Sequence, residues 1–273
     1  MLRMESDSGW WLITHPDHAR LAGAFAAAWG NAQFRRPEPR ARVLHGIACH
    51  DDGWAARDAH PTITRQSKPS AFSTELVGKY SAFEEIDLAD YLAVRESAVR
   101  IIAEEDAYAG LLVLMHTYSL LTDHADRSTI TPEGLVLLDA FLERQRVYRQ
   151  GLLASIANDG SLTEPEKSER AILEHFRLLQ ACDNLSLLSC VAYDRPAHLL
   201  HPLPMNDGGT SEVRVIPLGP RQYRLLPWPF AEPDLTFTFP ARQVQGKLFQ
   251  SSEELQSAFA SAPSEQLGVE LRA

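Results

Sequence analysis

The chain has 273 residues, 45% hydrophobic and 23% charged, which is enough apolar material for a substantial core and ordinary for a globular protein. Its formal net charge of -10 argues against nucleic acid or an anionic membrane surface as the main partner. The N-terminal stretch is acidic where a secretory signal would be basic, and the longest apolar run, Ala109 to Met115, stops at His116, far short of a membrane span.

Trp10 to Ile13 reads as a short strand, and Thr14-His15-Pro16-Asp17 as a helix start with Pro in the first turn and an acid at the positive end of the dipole. The helix runs to about Trp29 with Leu21, Ala22, Phe25 and Trp29 inward, and the same stripe reaches back to His18 rather than His15. After a polar, proline-containing connection, Val43, Leu44, Ile47 and Ala48 repeat at helical spacing, so His50 and Asp51 continue an apolar side. From Asp58 to Ser81 periodicity is lost, and Pro61, Pro69 and Gly78 mark a long irregular segment leaving directly from the His-Asp pair. Arg57, Lys68 and Lys79 are the nearest cations for an anionic ligand, although charges on a loop are ordinarily just solvated.

Two helices are expected from Leu88 to Ile102 and from Ala107 to Leu121; in the second, Ala109, Leu112, Val113, His116 and Leu120 share a face. A long amphipathic helix covers Pro132 to Ser155, and a last one about Glu166 to Ala192, where Asp183 falls among Phe176, Leu179, Leu187 and Cys190. Cys49, Cys182 and Cys190 form no CxxC pair and lie in apolar runs, the pattern of reduced core thiols in a cytoplasmic protein. After Pro196 the composition shifts to short strands at 213–216, 222–226, 235–239 and 242–249, with turns at Leu218-Gly219-Pro220 and around Pro240, then a brief helix from Ser252 and a closing strand at 267–271. The expected organisation is mainly α (α+β), a helical domain at 1–204 with a small antiparallel β lobe at 205–273 packed on it. The strand at Trp10 to Ile13 has no early partner and is expected to pair with that lobe.

His18, the His50-Asp51 pair, His116 and Asp183 are thus ionisable residues on inward faces of different helices. Burying an unpaired charge costs several kcal/mol, so such groups need a partner: a metal, a salt bridge or a hydrogen-bonded network. Imidazole nitrogen with carboxylate oxygen suits a divalent metal, but on the dipeptide alone the network is the better expectation. A lone His18 or His116 is ordinarily a core histidine bonded to a carbonyl.

Taken in order, H then HD then D on helices resembles the HD superfamily of metal-dependent phosphohydrolases over about residues 10 to 195. The finer wording, ITHPDHARLAGAFAAAW, HGIACHDDGW, CDNLSLLSC and LLPWPF, resembles an uncharacterised bacterial family carried as a domain of unknown function, across nearly the whole chain. The superfamily resemblance implies an HD-like helical bundle in which His18, His50, Asp51 and Asp183 hold one divalent ion, with Mn, Fe, Co, Ni and Mg all open. Many superfamily members carry a Lys shortly after the dyad, whereas this chain has Gly53-Trp54 there, and its interval to Asp183 is long.

Two imidazoles and two carboxylates leave open positions in an octahedral shell for water and a substrate oxygen. Under that reading Asp52 orients or deprotonates the water, or else merely caps or is solvated. His116 stabilises a leaving group, ligates a second metal, or bonds within the core. The expected activity is hydrolysis of a small phosphorylated metabolite or nucleotide, with no nucleic-acid or membrane partner and with a homo-oligomer left open. The alternatives are a metal-dependent sensor or binding protein without turnover, and an iron-dependent oxygenase of HD-like fold.

Overall fold

The structure, a computed structural model, describes residues 1–81, 83 and 87–273. Two short strands open the chain, β1 (Leu2–Glu5) and β2 (Gly9–Ile13), followed by helices α1 (His15–Ala28) and α2 (Arg40–Cys49). A 3-10 turn at Asp52–Trp54 leads into the short α3 (Ala55–Asp58). The helical body continues with α4 (Leu88–Glu105), α5 (Ala107–Thr122), α6 (Pro132–Ala157), the single-turn α7 (Glu164–Lys167) and α8 (Glu169–Cys190). Then come β3 (Ala197–His198), β4 (Leu203–Pro204), β5 (Thr210–Ser211), β6 (Arg214–Gly219), β7 (Gln222–Leu226), β8 (Asp234–Gln245), α9 (Ser252–Ser261) and β9 (Ser264–Arg272).

Helix boundaries follow side-chain caps. Thr14 accepts from the Asp17 amide, Asp106 from the Ala109 amide, Thr131 from Gly134 and Ser168 from Ala171. Asp106 matters most, because without that cap the apolar periodicity of α4 and α5 would run together.

The expected helical bundle with a small β lobe is corrected by the sheet. Seven strands in the order β1-β2-β8-β9-β7-β6-β3 form one curled, mixed sheet, so the protein is α+β, with about 49% helix and 21% strand. Two features enlarge the sheet beyond what local periodicity suggests. The N-terminal strands join it: β2 runs antiparallel to β8 with Gly9 opposite Gln245 and Leu12 opposite Arg242, the pairing expected of Trp10 to Ile13, although β2 also has an early partner in β1, with Leu2 opposite Ile13. The segments 235–239 and 242–249 also merge into one strand through Pro240, where a turn was expected. The β2 register reaches only Arg242, so the chain has already left for α1 by the level of Pro240, and a residue without an N–H is tolerated there.

Period-two alternation then sorts side chains between two cores. Ile13 of β2 and Phe239 and Ala241 of β8 enter the main core with Phe25, Leu179 and Leu185, while Trp10 and Leu12 join Val244, Phe249, Leu255 and Phe259 beneath α9. Phe25 of α1 meets Phe237 edge-on at 4.9 Å, and the Tyr223 hydroxyl donates to the Leu188 carbonyl at 2.9 Å, tying the sheet to both α1 and α8. Those two helices, with α2, α4 and α5, surround the ionisable cluster.

Candidate metal centre

Each member of the cluster continues an apolar stripe. On α1, His18 precedes Leu21, Ala22 and Phe25; on α2, His50 follows Val43 and Ile47 at the cap position; on α8, Asp183 and Ser186 lie between Leu179 and Cys190. The backbone leaves the helix at Asp51 (φ -118°, ψ 17°), and its carboxylate meets His18. Gly23 permits the approach, since a Cβ there would lie 2.6 Å from the Ala48 Cβ, so α1 and α2 touch backbone to backbone just beside the site.

His18, His50, Asp51, His116 and Asp183 are all buried, His50 completely. His18 Nε2 lies 3.0 Å from Asp51 Oδ2, and His50 Nε2 lies 3.3 Å from Asp183 Oδ1 and 3.9 Å from Asp51 Oδ2. The His116 ring stands edge-on to His50 at 5.1 Å, with Nε2 3.9 Å from Asp183 Oδ2. Among the described residues these form two overlapping groups with metal-ligating spacing, His18-His50-Asp51 and His50-His116-Asp183, sharing His50. The structure thus brings together the four sequence-derived ligands and His116.

The tautomers follow from the outer partners. Ser186 Oγ donates to the Asp183 carbonyl at 2.8 Å, so it accepts from His18 Nδ1–H, also at 2.8 Å. His50 Nδ1–H donates to the Ile47 carbonyl at 2.7 Å. In neutral rings both Nε2 atoms are then bare lone pairs facing carboxylate oxygens, an arrangement that only a proton or a cation between them relieves. His50 Nε2 is buried without an aligned hydrogen bond, and His116 Nδ1 also lacks a partner among the described residues. Two ring nitrogens held from behind, with two carboxylates in front, fit a divalent ion in donor chemistry and in outer support.

A second source of positive charge is also present. Arg95 of α4, 7% exposed, donates from one amino group to Asp51 Oδ1 at 2.5 Å, and its guanidinium lies 5.2 Å from the Trp54 ring centre and 5.3 Å from that of Tyr91. Burial opposes ionisation of Asp51, but Arg95 and His50 outweigh it and hold the carboxyl well below its ordinary range. Burial likewise opposes a charged His50, yet Asp51 and Asp183 raise it to about 9. His116, where burial prevails over Asp183, is pushed down to about 3 and is neutral.

His18, Asp51, His116 and Asp183 form the floor of a cleft of about 540 Å³, while His50, fully buried, is not among the residues that line it. Trp54, stacked on His15 at 4.7 Å, and residues of the long irregular loop, including Thr62, Thr64 and Tyr80, form its walls. Arg57 and Lys79 reach the cleft, but Lys68 is not among its lining residues.

Asp52 is placed differently from its expected role next to water. The chain turns through the 3-10 segment at that point, directing Asp52 to the outside of α1, where it pairs with Arg20 at 2.7 Å, and it does not line the cleft. Arg95 is the residue that the sequence reading passed over. Its signal was present, because Leu92, Arg95, Val99 and Ile102 recur at helical spacing and put a cation on a buried stripe, by the same logic that singled out Asp183.

Fold and cluster together define an α+β protein with a buried His/Asp centre at the base of an open cleft. The chain belongs to the family described as protein of unknown function (DUF3891), whose model matches residues 1–246. No curated protein and no solved structure matches it. Among the described residues no helix is long and apolar enough to cross a membrane.

Proposed function

We propose that this protein is a metal-dependent phosphohydrolase of the cytoplasm, acting on a small phosphorylated metabolite or nucleotide, with His18, His50, Asp51 and Asp183 holding a divalent ion. The observation that carries the reading is the pair of imidazoles whose Nδ1–H groups are tied to Ser186 and Ile47, leaving both Nε2 atoms converging on carboxylates at the cleft floor. The H, HD, D order of the resemblance agrees with that donor set. A divalent ion there supplies a polarised phosphoryl oxygen and a water of lowered pKa. The chain's own residues supply the rest: Trp54 and His15 wall off solvent on one side, and His116, neutral and on the floor, can hydrogen-bond a leaving oxygen without adding charge. Three free cysteines, two of them buried, accord with a reducing compartment.

A second reading draws on the proton count. An imidazolium at His50 with the Arg95 guanidinium already balances the Asp51 and Asp183 carboxylates, so the cluster can be neutral without a metal. That would make the cleft a binding site without turnover.

Activity separates the two. A screen of phosphomonoesters, nucleotides and cyclic nucleotides with manganese, iron or cobalt should reveal hydrolysis that a chelator abolishes. Asp51→Ala should abolish it too, whereas Asp52→Ala, which removes a pair with Arg20 outside the cleft, should leave the rate within about twofold. Metal-loaded protein that hydrolyses none of these esters overturns the hydrolase reading.

A further inference from the structure

Arg95 is bound on three sides and open on the fourth. One of its two amino groups donates to Asp51 Oδ1, and Nε–H donates to the Tyr91 hydroxyl at 3.3 Å. The guanidinium carbon lies 5.2 Å from the Trp54 ring centre and 5.3 Å from that of Tyr91, and the two rings are 5.4 Å apart, so both pack against one side of it, a contact that suits a planar guanidinium better than a lysine ammonium. The second amino group, Nη2, has no hydrogen-bond partner among the described residues, although the side chain is only 8% exposed and lines the cleft beside His18, Asp51 and His116. A guanidinium carries five N–H donors; with one on Nε and one on Nη1 bonded, three are left over, two of them on Nη2 at the cleft floor.

The charge of the cleft argues in the same direction. Four arginine or lysine side chains, Arg3, Arg57, Lys79 and Arg95, face four carboxylates in its lining, so the cleft is not acidic although the chain as a whole carries -10. Arg3 is already engaged by Glu75 and the Pro69 carbonyl. Of the others, Lys79 is exposed and Arg57 half-buried, which leaves Arg95 as the buried one.

We infer that Arg95 is the anion-recognition residue of the cleft, its Nη2 group donating to a phosphoryl oxygen of the ligand while its other amino group keeps Asp51 in place. A fixed, flat donor on one side of the phosphoryl group and the His/Asp centre on the other would set the orientation of a tetrahedral oxyanion; a single carboxylate ligand fits this less well, since it offers no third oxygen. The inference rests on the phosphohydrolase reading for the class of ligand, but it is tested without turnover.

The experiment is calorimetric titration of inorganic phosphate into the purified full chain, metal-loaded and chelator-treated, for wild type, Arg95→Lys and Arg95→Gln, with metal content and melting temperature measured on each sample. The wild type should bind phosphate in both forms, more tightly with metal. Both variants should lose at least tenfold in phosphate affinity in the chelator-treated form, where no ion contributes, and Arg95→Lys should keep its metal content. Phosphate affinity unchanged in the folded, chelator-treated variants overturns the assignment, as does wild type that binds no phosphate in either form. Since phosphate binding and hydrolysis are read separately, a protein that binds phosphate through Arg95 but hydrolyses no ester would overturn the hydrolase reading and leave this one standing.

Discussion

His175 lies about two turns before Asp183 on the same helix, yet its surroundings give it a different task. It is 7% exposed, its Nδ1–H donates to the Tyr108 hydroxyl at 2.8 Å while that hydroxyl donates to the Glu166 carbonyl, and burial lowers its pKa to about 4 against an ordinary 6.5. Between those values the unfolded chain binds a proton that the folded chain does not. Its contribution to stability is therefore whole above pH 6.5 and fades as pH falls toward 4, by at most about 3 kcal/mol at 1.36 kcal/mol per unit. Denaturant midpoints of His175→Gln should fall less steeply than wild type between pH 6.5 and 4.5, while His15 and His116 titrate in both proteins and cancel. Parallel profiles would place the acid sensitivity elsewhere. The same principle made the site residues legible: His18, His50 and Asp183 each interrupt an apolar stripe, and an ionisable group there stands out because burying it is costly. Arg95 obeys that rule too, but arginine on a helix so commonly spreads its stem over apolar surface that the stripe alone did not mark it. Asp52, expected either beside the water or as a capping or solvated group, faces Arg20, and one residue of 3-10 turn separates that from facing the cleft.

At the scale of elements, the turn after the His-Asp pair is held against α4 by an absence of side chain. A Cβ on Gly53 would lie 2.6 Å from the Ala98 Cβ and 2.7 Å from the Val94 carbonyl, and α4 is the helix that carries Arg95. Gly53→Ala should cost about 1 to 3 kcal/mol, as overpacking does, and should also weaken phosphate binding by pushing Arg95 away from Asp51. Gly151→Ala is the control: it lies inside α6 with open space where its Cβ would go, and there the exchange should stabilise by about 0.5 to 1 kcal/mol. Equal effects at the two positions, read from chemical denaturation, would rule out the contact as the cause. Helices of this protein were readable because caps and periodicity are local: the break at Asp106 and the start at Thr14 are visible in a few residues. Strand β1, four residues of mixed pattern, carries no such signal, and Pro240 reads as a turn unless it is known that its neighbouring strand has already ended.

At the scale of the whole molecule, the two ends of the chain share one sheet. Residues 9–12 pair with residues 242–245, and β7 runs parallel to β9, a pairing of strands about 40 residues apart that local periodicity cannot reveal. This is why the strand count and the fold class were underestimated; the pairing of Trp10 to Ile13 with the C-terminal strands was expected, but its premise, the lack of an early partner, does not hold, since β1 pairs with β2. Deleting Met205 to Ala273 would strip Trp10 and Leu12 of Val244, Phe249, Leu255 and Phe259, and Phe25 of Phe237. The remaining fragment of residues 1–204 should be insoluble or melt without cooperativity, and a soluble fragment with a sharp transition would show that the helices stand alone.

The central claim is that a His/His-Asp/Asp centre holds a divalent ion, and elemental analysis of protein purified without added metal tests it most directly. About one equivalent per chain is expected in wild type, falling below about a tenth in Asp51→Ala and Asp183→Ala variants whose melting shows them folded. Wild-type protein that is folded and takes up no divalent ion, even after incubation with manganese, iron or cobalt, would contradict the claim and leave the proton-balanced cluster in its place.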